Sequence, residues 1–382
     1  MKVGIITILK VNNYGAELQA YATQAVLKKL GYDAEIIDYL FYKNPKHKKT
    51  KASAPLFPFS IKCTLKEWIY PKISIIKSLL NREALKLRAK KFDDFHKENT
   101  SLSTTYCSID KLYAANLNYD VYVTGSDQVW NPGIYSSIAP YFLTFAPEGK
   151  KKIAYASSFG VEHIPDYAIN YYKEWLRSYD AIGVREKNAL KLVEAIANVK
   201  ATLVLDPTLL LTKSDWDKVS KPINTKMHGD YILLYELTPC PYILDLAYYL
   251  SKEKGLQIVR ICKDAHKQDK DGNIINIIDA GPAEFLSLFS KASLIITNSF
   301  HGTAFSINFQ KDFYTVLSLR KKNNSRQRSL LELFGLTERL IMEGSPLSDV
   351  SKMSIDYTYA NQRLNEERNK SIHYLQQAID GK

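Results

Sequence analysis

Short apolar runs that end in a polar turn and lead into a helical stripe recur along this chain. That alternation confines it to a parallel α/β architecture. Val3 to Leu9 reads as a buried strand and Asn12-Asn13-Tyr14-Gly15 as a turn. Ala16 to Leu30 reads as a helix, with Leu18, Ala22, Ala25, Val26 and Leu30 on one face. Gly31 suits its C-cap, and Ala34 to Asp38 is the next strand. A strand, a helix and a strand in that order imply a parallel pair. The plan returns in the second half. Strands are expected at Tyr231–Tyr235, Gln257–Ile261, Ile274–Ile278 and Asp312–Leu317, with helices at Tyr242–Lys254 and Ala283–Ala292. Between the halves, residues 213–229 are polar and irregular, a candidate linker.

The most informative turn is in LIITNSFHGTAFSI, Leu294 to Ile307. Leu294-Ile295-Ile296 is too short for a helix and suits a buried strand. Thr297, Asn298 and Ser299 suit a turn or a helix N-terminus, and Thr303 to Phe309 reads as helix. His301 therefore sits in a strand-to-helix turn, at the strand end where open α/β sheets bind ligands. Backbone N–H groups at a helix start favour phosphate or carboxylate. Gly302 allows close backbone approach. The alternative for His301 is a buried ring hydrogen-bonded within the turn.

Other strand ends carry polar groups. Asp120 to Thr124 runs into Gly125-Ser126-Asp127 and then Trp130-Asn131-Pro132, placing Ser126, Asp127 and Asn131 to meet a hydroxylated ligand. Trp130 could stack on a sugar ring or pack in the core. Ile153 to Ala156 ends in Ser157-Ser158-Phe159-Gly160. Ala181 to Val184 ends at Arg185, which could grip a carboxylate or phosphate, or pair with Glu186 or another acid. Asn13, Tyr14 and Gly15 are either tight-turn chemistry or the lining of a cleft; no GxGxxG dinucleotide fingerprint is present. Arg320 to Arg326 is a basic polar loop, either solvated or an anion clamp near His301.

The 382 residues suffice for two domains. Apolar runs fall far short of the roughly 20 residues that span a bilayer. MKVGIITIL is expected to be a first strand and not a signal peptide. Four scattered cysteines (Cys63, Cys107, Cys240, Cys262) form no zinc signature or disulfide framework, so a reducing cytoplasm is the expected location and no metal is expected. The net charge is +12. Between Lys43 and Lys91, 14 Lys or Arg face only Glu67 and Glu83, so this stretch accounts for the whole excess. Prolines at 45, 55, 58 and 71 also break the rhythm there, and Ser74 to Phe95 looks helical. Residues 43–105 therefore read as a basic helical insert. Its interleaved apolar residues suit either packing on the first domain or peripheral contact with an anionic membrane. No nucleic-acid motif accompanies the charge, so no nucleic-acid partner is expected.

The opening VGIIT…NNYGAELQAYATQAVLKKLGY, GSDQVWNP (Gly125–Pro132), KIAYASSFG (Lys152–Gly160), GVREKNA (Gly183–Ala189), VLDPTLLL (Val204–Leu211) and the His301 stretch resemble, in this order, the polysaccharide pyruvyl transferase family. The resemblance implies two Rossmann-like domains in a GT-B-like arrangement with a cleft between them. The expected boundaries are 1–212 for the N-terminal domain, 230–345 for the C-terminal domain and 346–382 for a helical tail. It also implies transfer of pyruvate from phosphoenolpyruvate to two hydroxyls of a glycan or lipid-linked sugar, giving a cyclic ketal with no cofactor. His301 and Arg185 would then be catalytic. Asn13, Tyr14, Gly15, Ser126, Asp127, Trp130, Asn131, Asn298, Ser299, Gly302, Thr303, Arg320, Asn324 and Arg326 would contact substrate. Better-known members carry an arginine where this chain has Ser299, so either Arg320, Lys321, Lys322 or Arg326 substitutes from the following loop or the donor site differs. The alternatives are a GT-B-type glycosyltransferase using a nucleotide-sugar and a non-catalytic sugar-binding member.

Overall fold

A computed structural model describes residues 1–48, 69, 72, 83–223, 229–262, 274–318, 325–350 and 354–381. The chain divides into two compact units. The first comprises Met1–Leu80, His96–Leu210 and Glu367–Lys382; the second comprises Asn81–Phe95 and Leu211–Glu366.

The first unit is built on six parallel strands: β1 (Lys2–Ile6), β2 (Asp33–Ile36), β3 (Val121–Thr124), β4 (Lys151–Ser157), β5 (Ala181–Val184) and β6 (Thr202–Leu203). Their order is β2-β1-β3-β4-β5-β6. From β1 the chain goes first to one side and then to the other, so the switch point lies between β1 and β3. Helix α1 (Tyr14–Lys29) follows β1. Asn13 caps it, accepting from the Gly15 and Ala16 N–H groups. Glu17 in its first turn complements the helix dipole. The buried Tyr14, Leu18, Ala22, Val26 and Leu27 fill its inner face.

The second unit repeats the plan with β7 (Tyr231–Tyr235), β8 (Gln257–Ile261), β9 (Ile274–Ile277), β10 (Leu294–Thr297), β11 (Asp312–Leu317) and β12 (Leu340–Met342). All are parallel, in the order β12-β11-β10-β7-β8-β9. After β9 the chain crosses back to lie beside β7, which puts the switch point between β7 and β10. Both sheets are Rossmann-like, as the periodicity predicts. The Leu340–Met342 strand escapes sequence reading because three apolar residues beside charged ones make no pattern.

Outside the insert, helix starts fall within a few residues of expectation, and the start expected at Ser74 lies outside the described residues. The polar stretch read as an irregular linker begins instead with a helical turn, Lys213–Asp217. Thr212 and Asp215 form a reciprocal capping box there. The insert helix spans Glu83–Asn99. Most of the basic, apolar-interleaved stretch before it lies outside the described residues, as does much of the proposed membrane-facing surface. Among the described residues no helix is long and apolar enough to cross a membrane.

Candidate functional site

At the switch point of the first sheet lies a pocket of about 380 Å³. The loop after β1 supplies Ile8, Val11 and Asn13; the loop after β3 supplies Asp127, Gln128, Asn131, Gly133 and Ile134; Phe41, Tyr42 and Lys43 complete the wall. Strain concentrates in these loops. Lys10, Asn12 and Asp127 all have positive φ, at 55°, 52° and 74°. Non-glycine residues adopt that region at an energetic cost and mostly where function or packing demands it. Glu17 holds the first loop in place. Its carboxylate accepts from Val11 N–H at 3.0 Å and from Lys10 N–H at 3.4 Å, and lies 2.7 Å from His96 Nε2.

The second loop is set by an irregularity in β4. Pairing with β5 shifts register between Ala154 and Ser157, and Ala156 between them has a positive φ of 54°. Such bulges re-aim side chains beside sites. Ser158 N–H donates to Asp127 O, and Trp130 N–H to Ser158 O. Gly160 (φ 64°) backs the pocket amides: a Cβ there would come within 2.0 Å of Gln128 Oε1 and 2.8 Å of Asn131 Nδ2. Asn131 Nδ2 in turn donates to Gln128 Oε1 at 2.9 Å. Gln128 and Gly160 carried no signal in the sequence beyond their place at strand ends.

Several residues expected to meet substrate prove to be interior. Trp130 is fully buried, stacked on Phe142 at 5.3 Å and 7°, with Phe159 and Tyr179 also against it. Its ring is used for packing, which corrects the sugar-stacking expectation. Tyr14 and Gly15 are buried in the first turn of α1. Ser126 is fully buried, and its hydroxyl donates to Asp206 Oδ2 at 2.9 Å. Asn13, Asp127 and Asn131 do line the pocket.

Arg185 realises the ion-pair alternative. Its side chain is 1% exposed and lies 2.7 Å from Asp206, 3.5 Å from Asp127 and 3.9 Å from Glu186. Burial pulls its pKa down, but the three carboxylates outweigh burial and hold it above the ordinary value. A grip on a ligand would have to compete with Asp206. The partner acid is set up locally, since Asp206 Oδ1 also accepts from the Thr208 N–H and hydroxyl.

At the switch point of the second sheet, β10 runs into helix Phe300–Asn308. His301 lies in its first turn, 7% exposed, edge-on to Phe300. The residues around it mostly serve the backbone. Ser299 is the N-cap and accepts from Gly302 N–H at 3.3 Å. Asn298 bridges to the loop after β7, accepting from Leu237 N–H and donating to Thr238 O, both at 2.8 Å. Thr303 is fully buried, bonded to Ser299 O and the Thr315 hydroxyl, so its expected substrate contact is corrected to a structural one. Gly302 owes its identity to β10: a Cβ would lie 2.3 Å from Thr297 Oγ1. Gln327, which sequence reading passed over, donates to Asn298 O at 3.3 Å. Arg326 is half-buried in the first turn of Ser325–Leu333, whereas Arg320 and Asn324 lie outside the described residues.

Among the described residues no group of three or more His, Cys, Asp or Glu could hold a metal ion.

Two Rossmann-like sheets, each with a polar switch point, define a two-unit α/β protein. The fold is similar to that of UDP-GlcNAc 2-epimerase from Methanocaldococcus jannaschii in complex with UDP-GlcNAc and UDP, at 15% identity and a TM-score of 0.51 over 100% of each chain. A second structure of that archaeal enzyme matches at 13% identity and a TM-score of 0.50, over 98% of this chain and 100% of that one. E. coli heptosyltransferase WaaC with ADP aligns over 96% of this chain and 100% of its own, at 11% identity and a TM-score of 0.44. None of the curated proteins matches. The polysaccharide pyruvyl transferase family model matches residues 13–318, and the chain belongs to that family. Membership implies a transferase of polysaccharide modification.

Proposed function

We propose that the protein moves pyruvate from phosphoenolpyruvate onto two hydroxyls of a sugar in a polysaccharide or its lipid-linked precursor. The observation that carries this reading is the place of His301: the first turn of a helix, at the switch point of the second sheet, within the family match. Helix starts favour anions, and an imidazole exchanges protons near neutral pH. The chemistry needs both. One sugar hydroxyl attacks C2 of the enol while C3 takes a proton. A neighbouring hydroxyl then attacks C2, and phosphate departs with the C–O electron pair. One hydroxyl proton balances the one added at C3 and the other leaves to the medium or the phosphate. His301 is the group proposed to exchange a proton or meet the phosphate.

The pocket of the first unit, with its amides and Asp127, supports a hydroxylated acceptor there. Arg326 is the described cation proposed to act where Ser299 replaces the family arginine. The engagement of Arg185 with Asp206 and of Ser299 as a helix cap favours a second reading, a sugar-binding member without transfer. One experiment separates these readings. The protein is incubated with a panel of sugars together with phosphoenolpyruvate or, in parallel, nucleotide-sugars, with phosphate and nucleotide release and product mass followed. Phosphate release with a pyruvylated sugar is the expected result. Sugar binding with neither product would support the second reading, and release of a nucleotide from a nucleotide-sugar would replace both.

A further inference from the structure

The lining of the first unit's pocket is mixed. Gln128, Asn131 and Asp127 contribute amides and a carboxylate. Phe41-Tyr42-Lys43 contributes aromatic rings and a cation, and the chain continues through exposed Lys46 and Lys48. A charge run in a sequence is often a loose solvated face, but residues 44–48 at the start of this one are folded in place. Asn44 Nδ2 donates to Lys10 O at 3.0 Å, tying the segment to the strained loop after β1. His47 Nδ1 lies 2.8 Å from Leu40 O, and Lys48 N–H donates to Cys107 O at 2.6 Å. Lys10 pairs with Asp38 at 2.5 Å, and the Lys43 ammonium lies over the Tyr42 ring, 5.5 Å from its centroid. Lys46 and Lys48 have no acidic partner among the described residues.

We propose that this pocket takes a sugar that bears a phosphoryl group at its anomeric carbon, with the ring against Asp127 and the Gln128–Asn131 amide pair and the phosphoryl group on Lys43. The idea rests on the acceptor reading above and narrows its substrate class. A volume of about 380 Å³ is at the small end of ligand sites, which suits one sugar ring with a short appendage. Asp127, with 17% of its side chain exposed, presents acceptor oxygens suited to ring hydroxyls. A carboxylate repels a phosphate, so of the lining groups Lys43 is the one suited to the anion. Lys46 and Lys48 extend the positive potential outward, where a second phosphate or the remainder of a carrier would lie. Free sugar 1-phosphates, nucleoside diphosphate sugars and prenyl diphosphate sugars share this chemistry.

The test is binding to the full chain without phosphoenolpyruvate, so it does not depend on pyruvyl transfer. Hexoses and N-acetylhexosamines are titrated calorimetrically, each as the free sugar and as its 1-phosphate, with inorganic phosphate as a control. The expected result is about tenfold or tighter binding of at least one 1-phosphate over its free sugar. Lys43→Ala should abolish that preference and Lys43→Arg should keep it. Gly160→Ala, which pushes on Gln128 and Asn131, should weaken the 1-phosphate without affecting inorganic phosphate. Uridine diphosphate and short prenyl diphosphate forms of the preferred sugar identify the carrier. Equal or absent binding across every pair overturns the proposal. So does a preference that survives Lys43→Ala, or inorganic phosphate binding as tightly as the sugar phosphates. Loss of pyruvyl transfer with this preference intact would refute the proposed function and leave the site standing.

Discussion

At the scale of single residues, chemistry and packing separate within one short turn. His301 is the residue proposed for proton transfer or phosphate contact. His301→Ala is expected to lower transfer by about 10²- to 10⁴-fold with the thermal midpoint held, measured by phosphate release alongside a melting curve. Its neighbour behaves in the opposite way. Gly302→Ala places a Cβ against Thr297 Oγ1, the atom that donates to Tyr235 O at 2.5 Å and accepts from Ser299 N–H at 3.1 Å. The helix must shift off the strand, with an expected loss of about 1–3 kcal/mol in urea unfolding. A stability equal to wild type would show that the turn yields easily. Arg185 is a third case. Arg185→Met strands buried Asp206 without its cation, for an expected loss of about 3–5 kcal/mol, and adding Asp206→Asn should restore part of it. If the double variant is no more stable than the single one, the pair is not the reason for the burial.

At the scale of elements, the loops that make the first pocket are held from a distance. Helix α1 controls the loop before it through Asn13 and Glu17, and β4 controls the Asp127 loop through its bulge. The C-terminal helix Thr358–Asp380 is tied to the first sheet: Ser371 Oγ accepts from Leu205 N–H at 2.9 Å and Tyr374 donates to Ala154 O at 3.1 Å. Gly183 lacks a side chain because Tyr374 lies there, 2.7 Å from where a Cβ would be. Deleting residues 367–382 is therefore expected to destabilise the first unit selectively. The readout is hydrogen exchange: amides of β4 and β5 should lose protection while those of β7 and β10 keep it. Uniform loss in both sheets, or in neither, would count against that assignment.

At the scale of the whole molecule, charge is the distinguishing feature. The net +12 is carried by the Lys43–Lys91 stretch, beside an otherwise balanced chain. We propose peripheral contact with an anionic membrane through this stretch, worth near 1 kcal/mol per basic residue at the surface and screened by salt. Co-sedimentation with vesicles containing anionic lipid should show binding that falls as salt rises and falls again in a Lys46→Glu, Lys48→Glu, Lys49→Glu variant. Equal binding to neutral vesicles, or none at low salt, would leave the insert as a packing element.

The α/β class, nearly every strand and the strand-end position of His301, Asp127 and Asn131 were legible in the sequence. Each depends on local rules: apolar runs of strand length, helical stripes, and caps such as Asn13 and Ser299. The family was legible too, since its motifs are contiguous. What the sequence left open was decided by groups far apart in the chain. Whether Arg185 meets a ligand or an acid depended on Asp206 lying 2.7 Å away. Whether Trp130 faces a sugar or the core depended on Phe142 and Phe159. The β12 strand has too few residues to make a period, and the return of Glu367–Lys382 to the first unit joins residues more than a hundred positions apart. The pocket itself needed the strand order, because only the sheet brings the loops after β1 and β3 side by side. Periodicity is a property of neighbours along the chain, whereas partner choice, side-chain burial and pocket shape are set by neighbours in space.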